Sequence, residues 1–322
     1  MKARPYLFLF LLAIIWGLHW PVSKVGLQYL PPLTYSALRV LGGLATLVAL
    51  LAWRGGLRLP DRRDLPVVAS MGLGMMAAGF VLMNLALEVV QAGRSSILYY
   101  TMPLWVALMQ FPRLLARGVA RQLAGLAIGL AGMALLLNPW AIDWGASGEL
   151  LGSGALILSA MIAAAVTIHI RHHQWHGTPL SLEPWELLLA LVPVSASALI
   201  FEGGRPIDWQ PAAVGAVLYS GVLATALAYW MSQSIARELT PLATTMGLLA
   251  VPVVGLTSSA LLLGEPLTLV DLAGAAITFV GIAIVSLAPV DDAPIAAAAD
   301  SVEERPGTSR ETGPRGPRRD AG

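Results

Sequence analysis

Ten long apolar stretches determine what this chain can fold into. Each approaches the roughly 20 apolar residues that a helix needs to cross the hydrocarbon of a bilayer. The stretches are continuous rather than alternating, and backbone groups in lipid must pair within their own segment, so helices are predicted rather than strands. They lie near residues 5–29, 33–53, 66–87, 93–115, 119–139, 150–170, 184–201, 211–235, 241–263 and 268–288. The predicted fold class is an all-α membrane protein with ten transmembrane helices.

Composition supports this class and excludes others. Of the 322 residues, 57% are hydrophobic and 12% are charged, whereas a soluble domain is about 25% charged. The chain has 0 cysteines, which excludes disulfides, thiolate chemistry and cysteine-ligated zinc. A net charge of +1 gives no reason to expect nucleic acid as a partner, so the expected partners are the lipid bilayer and a small molecule.

The chain contains an internal repeat, because a shift of 149 positions aligns its two halves without a gap. The shift places Pro103 on Pro252 and Gly72 on Gly221, and prolines do not align through apolar composition alone. Each half holds an odd number of spans, so the second half must enter the bilayer upside down. Inverted repeats of this kind let a central site open to either side in turn. The predicted units are two five-helix repeats, at 5–139 and 150–288.

Lysine and arginine set the predicted orientation, since they concentrate in cytoplasmic loops. With ten spans, the residues on the inner side are Lys2, Arg4, Arg54, Arg58, Arg62, Arg63, Arg113, Arg117, Arg121, Arg171 and Arg237. The outer connections carry only Arg94 and Arg205. Both termini are therefore expected to be cytoplasmic.

After Ala288 the composition changes to Pro, Ala, Asp, Glu, Arg and Gly. This segment lacks the apolar content that a core requires. A disordered cytoplasmic tail is predicted at 289–322.

A Gly125-x-x-x-Gly129 pair in span five permits close approach of another helix. Packing within the chain is preferred over a dimer interface as the role of this face. The sequence leaves the oligomeric state open.

Span one places polar and aromatic side chains deep in the membrane, beside Pro21. Polar groups at this depth usually face protein or water rather than lipid. Trp16 and His19 are candidates for lining a substrate cavity, with plain packing as the alternative. Lys24 lies nearer the outer end, where it has either a functional role or a snorkelling side chain.

Three polar residues in other spans are further substrate-binding candidates. Arg39 in span two either pairs within the protein or contacts a ligand, because an intramembrane arginine is costly. Asn84 and Gln233 occupy the same position of the two repeats, and each amide needs hydrogen-bond partners. A shared central cavity and contacts between helices are both compatible with this pair.

Aromatic residues complete the candidate site. Tyr99 and Trp105 flank the paired proline of span four, and Tyr229 and Trp230 lie side by side in span eight. Such side chains suit the apolar part of a small solute.

The acidic residues predict no proton relay and no catalysis. Glu186 falls within about one turn of a span end on the predicted boundaries. A relay needs carboxylates inside the membrane, so uncoupled transport is expected. Nucleophile, phosphate-loop and metalloprotease motifs do not occur. A histidine cluster near the inner end of span six (169–176) fits a wet helix end better than a metal site, and no cofactor is expected.

Three features together resemble the ten-helix EamA-type branch of the drug/metabolite transporter superfamily. They are Trp16-Gly17 with Lys24, Arg39 in span two, and the Pro252 span that ends with Gly264-Glu265. The resemblance covers about 5–288. The family's Gly-Glu is absent from the first copy, where Leu115 and Ala116 stand at the aligned positions. Thr268 with Asp271 also fits a capping box for span ten.

The resemblance implies an inner-membrane carrier, not an enzyme. Such a carrier exports or exchanges small metabolites, commonly amino acids, by alternating access through a central cavity. A broad multidrug exporter is one alternative, although cavity acids that would bind cations are missing. A non-transporting membrane receptor or assembly factor is the other, and it is favoured if His19, Asn84 and Gln233 all face away from a common cavity.

Overall fold

A computed structural model describes residues 3–110, 120–137, 148–239, 244 and 247–287. Within these ranges the regular elements are helices and no strand occurs, as the sequence predicts. The basic residues Arg113 and Arg117, Leu115 and Ala116, and the tail predicted at 289–322, lie outside the described residues.

The helices follow the chain in an order close to the predicted one. The α-helices are α1 (Ala3–Gly26), α2 (Pro32–Trp53), α3 (Leu65–Ala69), α4 (Gly79–Val89), α5 (Ala92–Tyr99), α6 (Met102–Met109), α7 (Ala120–Leu137), α8 (Gly148–His172), α9 (Pro179–Glu202), α10 (Pro211–Leu218), α11 (Ala228–Glu238), α12 (Ala250–Leu263) and α13 (Leu269–Leu287). A 3-10 helix spans Arg62–Asp64, and π-helices span Ser70–Ala78 and Tyr219–Leu227.

By length and composition, 8 helical stretches of the described residues can cross a membrane, and Ala250–Leu263 is a shorter apolar helix. The predicted fourth span, 93–115, is divided into α5 and α6 by a break at Tyr100 and Thr101. The predicted ninth span, 241–263, contributes α12. The chain is thus a multi-pass membrane protein, while the number ten stays a prediction.

The two π-helices lie at equivalent positions of the sequence repeat. Ser70 and Ala78 bound the first, and a shift of 149 positions leads to Tyr219 and Leu227, which bound the second. A π-helix widens the helical turn and leaves some carbonyl groups for other partners, and it often occurs at functional sites. The first π-helix contributes Met71 and Met75 to the cavity described below, and the second bonds two further lining residues, Trp16 and Arg39, through Ala224 and Thr225.

Charged side chains bind the ends of helices at one end of the bundle. We call this end, which contains Lys24, Glu202 and Glu265, the tied end. The Lys24 ammonium group donates to the carbonyl oxygens of Leu87 and Val90, at 2.8 Å for Val90. These carbonyls belong to the last turn of α4, where the helix dipole favours a cation. Lys24 therefore has a structural partner within the chain.

Two carboxylates bind helix N-termini at the same end. Glu265 accepts the N–H groups of Ala92 and Gly93 at 2.8 and 2.9 Å. Glu202 likewise accepts the N–H groups of Leu33 and Thr34 at 3.1 and 2.8 Å. A carboxylate satisfies the free donors of a helix start and complements its dipole. Both carboxylates belong to the second repeat and both helix starts to the first, so these contacts join the halves.

The Gly-Glu pair has a structural role in this arrangement. Gly264 ends α12 with φ +67°, a left-handed conformation that glycine adopts without strain. This turn directs Glu265 toward α5. Thr268 and Asp271 then form the expected capping box, with 3.1 Å between the Asp271 N–H and the Thr268 hydroxyl oxygen.

The first helices of the two repeats run in opposite directions. Helix α1 ends at the tied end with Lys24. Helix α8 begins there, because Glu149 in its first turn pairs with Arg94. Immediately after α8, His173 bonds Asp64 at 2.9 Å, at the start of the segment that leads into α4. This antiparallel direction is the one that an inverted repeat requires.

The small-residue face of α7 packs inside the chain, as expected. A β carbon at Gly125 would contact the side chain of Ile284 on α13 at 2.7 Å, and one at Gly281 would meet the backbone of Gly129 at 2.3 Å. These helices therefore touch backbone to backbone.

Candidate functional site

A cavity of about 430 Å³ lies between the helices of the two repeats. Its volume falls within the roughly 300–1,000 Å³ of most small-molecule sites. The residues around it are Trp16, His19, Trp20, Arg39, Met71, Met75, Gly79, Phe80, Met83, Tyr99, Tyr100, Met102, Thr167, Ile170, Arg171, His173, Trp175, Pro179, Tyr229, Ser232, Gln233, Thr244 and Leu248. Arg171 is exposed, so the cavity reaches the surface at the end opposite the tied end.

One wall of the cavity is aromatic. The Tyr229 ring lies between Trp16 and Phe80, with centroid distances of 5.4 and 5.9 Å. The Trp16 indole N–H donates to the Ala224 carbonyl oxygen at 3.1 Å, within the second π-helix. That bond fixes the Trp16 ring. Tyr99 continues the wall by contact with Tyr100, at 5.6 Å between centroids.

Arg39 brings a positive charge to this wall. Its guanidinium carbon lies 3.6 Å from the centroid of the Phe80 ring, a cation–π contact. Its Nε donates to the Thr225 hydroxyl at 2.8 Å. The Nη1 nitrogen is buried and has no hydrogen-bond partner in the described part of the chain. Arg39 is thus positioned by protein contacts and keeps the N–H groups of Nη1 free.

His19 lines the cavity beside a small hydroxyl network. Its ring nitrogens lie 3.2 and 3.3 Å from the Ser23 hydroxyl, and Nδ1 lies 3.3 Å from Ser220. Tyr35 in turn contacts Ser220 at 2.5 Å. These hydroxyls hold the His19 ring in place.

Gln233 and Thr244 supply further free polar groups. Both amide atoms of Gln233 and the Thr244 hydroxyl are buried without partners among the described residues. Both side chains line the cavity. Unsatisfied buried polar groups are costly, so a bound solute or water is the expected partner of the Thr244 hydroxyl, whereas the Gln233 amide lies beside the Glu186 carboxyl group.

Six of the ten predicted site residues therefore line one cavity: Trp16, His19, Arg39, Tyr99, Tyr229 and Gln233. The other four lie elsewhere. Lys24 belongs to the tied end, and the Asn84 amide donates to the Ser36 hydroxyl at 2.7 Å. Trp105 donates to Thr101 on the same span, at 3.1 Å, and Trp230 packs on Phe8 with 5.6 Å between centroids.

Sequence reasoning missed part of the lining. Phe80 is not among the predicted site residues, although it carries the Arg39 stack. Met71, Met75 and Met83 lie on the cavity, and methionine adapts to irregular ligands. An apolar residue in a membrane helix carries no sequence signal that distinguishes a cavity from lipid.

The predicted position of Glu186 at a span edge is wrong. Helix α9 begins at Pro179 rather than near residue 184, because Thr178 caps it with its hydroxyl group and Pro179 occupies its first turn. Glu186 therefore lies two turns inside the helix. Glu183 and Glu186 are both 0% exposed.

The histidine cluster anchors a loop to the first repeat. Asp64 accepts hydrogen bonds from the His176 and Gly177 N–H groups at 3.1 and 2.7 Å, and it contacts His173. His169 contacts the Ser70 hydroxyl at 2.8 Å. No group of three or more potential metal ligands occurs within the described ranges.

The sequence matches the EamA-like transporter family over residues 3–138 and 150–287. The chain belongs to the EamA-like transporter family. The two matches coincide with the two repeats, and the protein is therefore a membrane transporter rather than an enzyme.

Several curated relatives match along most of their length. A probable amino-acid metabolite efflux pump of Salmonella typhimurium is 29% identical over 293 residues, which cover 85% of this chain and 92% of the relative. The uncharacterized transporter YoaV of Bacillus subtilis is 25% identical over 270 residues, 84% of this chain and 92% of the relative. A crystal structure superposes with a TM-score of 0.63 at 20% identity and covers 89% of this chain and 99% of that chain, which shows the fold.

Proposed function

We propose that this EamA-like transporter is an inner-membrane carrier that exports or exchanges small amphipathic metabolites, amino acids among them. The observation that carries the proposal is the free Arg39 nitrogen at the aromatic wall. A guanidinium group with an unused donor in a water-poor cavity favours a carboxylate. The aromatic rings of Trp16, Phe80 and Tyr229 suit the apolar part of the same solute.

Alternating access is the proposed mechanism. The cavity reaches the surface near Arg171, while helix ends are joined at the tied end through Lys24, Glu202 and Glu265. We infer that these bonds break when the cavity opens at the other side. An inverted pair of five-helix repeats supplies two related conformations for that exchange. On the predicted topology, the mouth of the cavity and both termini of the chain are on the cytoplasmic side.

The charge of the cavity separates this function from a multidrug or cation exporter. The lining includes Arg39 and Arg171 and no Asp or Glu within the described residues. Cations are therefore not favoured by direct pairing. The relatives named as probable amino-acid metabolite efflux pumps support the same solute class. A receptor or assembly factor is disfavoured because His19 and Gln233 border one cavity.

The test is efflux of labelled amino acids from proteoliposomes that contain the purified protein. Phenylalanine has the required carboxylate and aromatic ring, and phenethylamine is the matched compound without the carboxylate. We expect phenylalanine to move and phenethylamine to move much less. Equal transport of phenylalanine and phenethylamine would contradict the recognition of a carboxylate by Arg39.

Two variants give the residue control. Arg39→Gln removes the free donor and should slow phenylalanine efflux, whereas Trp230→Phe alters an aromatic that packs on Phe8 outside the cavity. The second variant should transport like the unaltered protein. Equal loss in both would indicate damage to the fold rather than to the site.

A further inference from the structure

Glu183 and Glu186 form a buried acidic pair that the proposed solute site does not use. They lie on one face of α9, three residues apart, and are 0% exposed. All four carboxyl oxygens lack a hydrogen-bond partner among the described residues. None of the ion pairs of the described chain includes either residue.

An independent unpartnered group adjoins this pair. The Gln233 amide lies beside the Glu186 carboxyl group. Gln233 is 9% exposed, and neither of its amide atoms forms a hydrogen bond of normal geometry with a described residue. Gln233 also lines the cavity. It therefore stands between the cavity and the carboxyl groups.

No described cation neutralises the pair. The elements with the most contact to α9 are α2, α3, the first π-helix and α11, and α3 and that π-helix contain no titratable side chain. Among the side chains that the structure describes, the titratable groups of the surroundings are Tyr35 and Arg39 on α2, Tyr229 and Glu238 on α11, and Asp64 and His173 beside the start of α9. Arg39 binds Thr225 and Phe80, and His173 binds Asp64. Tyr229 lies near both glutamates, and its phenol group cannot carry a positive charge.

We propose that Glu183 and Glu186 form a proton-binding site whose loading is linked to the transport cycle. Two adjacent carboxylates with no described cation beside them cannot both stay ionised when buried, so this conformation holds at least one proton on the pair. Neither glutamate lines the cavity, so the bound species is a proton rather than a solute ammonium group or a metal ion. Entry of water past Gln233 would let a carboxylic acid release its proton to that water and become a carboxylate.

This inference replaces the expectation of uncoupled transport, which depended on an edge position for Glu186. The link between this proton-binding site and the transport cycle rests on the proposed carrier function. The first test uses proteoliposomes with a pH-sensitive dye and an imposed phenylalanine gradient. We expect phenylalanine to drive proton movement across the membrane. Glu183→Gln and Glu186→Gln should lose that proton movement and keep phenylalanine counterflow.

Glu238→Gln is the matched control, because Glu238 is an exposed carboxylate on the helix that carries Gln233. It should behave like the unaltered protein. Phenylalanine transport without proton movement in the unaltered protein would overturn the inference and leave the carrier function intact. Proton movement that survives in both glutamate variants would also overturn it.

A second measurement needs neither a solute nor a transport assay. Infrared spectra of the purified protein at neutral pH should contain the C=O band of a protonated carboxylic acid, and the band should fall in the Glu183→Gln/Glu186→Gln double variant. Absence of the band in the unaltered protein would refute the proton site even if phenylalanine is not a substrate. If the unaltered protein shows the carboxylic acid band but no phenylalanine counterflow, the result would contradict only the proposal that phenylalanine is a substrate.

Discussion

Replacement of Gly281 by alanine should destabilise the protein, because α13 meets α7 backbone to backbone at this residue. The added β carbon would lie 2.3 Å from the Gly129 nitrogen, 2.4 Å from its Cα and 2.7 Å from the Gly125 carbonyl oxygen. Ordinary contacts of a β carbon begin at 3.4 Å. The helices must therefore separate by about 1 Å, and no flexible side chain is available to yield.

The expected magnitude follows from the cost of overpacking, which is about 1–3 kcal/mol. For chains of 150–250 residues, each kcal/mol moves the thermal midpoint by about 2–4 °C, so a fall of roughly 2–12 °C is expected. The assay is thermal unfolding of the detergent-purified protein, followed by intrinsic fluorescence.

Gly154 provides the matched control in α8. No atom lies within 4 Å of the position that its β carbon would take. Alanine there should leave the midpoint unchanged or raise it, because alanine exceeds glycine in helix stability by about 1 kcal/mol. Equal midpoints for Gly281→Ala and Gly154→Ala would refute the close helix contact.

Three further predictions concern the tied end, the cavity and the topology. Glu265→Ala should lower the free energy of unfolding by about 1 kcal/mol, as for the loss of a helix cap. Glu265→Gln should lower it by less, because glutamine keeps a hydrogen-bond acceptor. Chemical unfolding measures both variants, and equal losses would contradict the capping role of Glu265. Trp16→Phe removes the hydrogen bond to Ala224 and should slow phenylalanine efflux more than Trp105→Phe does. Trp105 is the control because its partner, Thr101, lies on its own span. The reverse order would contradict the aromatic wall of the cavity. Reporter fusions after Leu30, Ala141 and Phe201 should be external and those after Gly56 and His176 internal, and any reversal would overturn the topology.

Much of the fold is encoded locally and was predictable. Apolar length alone locates 8 of the ten predicted membrane spans, and the two π-helices keep the 149-residue spacing that the repeat indicates. The apolar stretch placed the start of this span near residue 184, whereas α9 begins at Pro179 after the Thr178 cap. That shift of five residues hid the burial of Glu183 and Glu186.

The site was predictable only in part, since membrane depth identifies a polar residue but not the direction it faces. His19, Arg39 and Gln233 border the cavity, whereas Asn84 bonds Ser36 between helices although it is the repeat partner of Gln233. A sequence repeat therefore does not imply that equivalent residues have equivalent contacts. Phe80 was missed because its contact with Arg39 is a tertiary one.

The carrier that we propose binds its solute in the cavity through a carboxylate at Arg39. Equilibrium titration of the purified protein with phenylalanine and phenethylamine tests it most directly. A charge-assisted hydrogen bond contributes about 1.5–3 kcal/mol, so the unaltered protein should bind phenylalanine about 10- to 100-fold more tightly than phenethylamine. Arg39→Gln should remove most of that preference. Equal affinities in the unaltered protein, or a preference that persists in Arg39→Gln, would contradict the account.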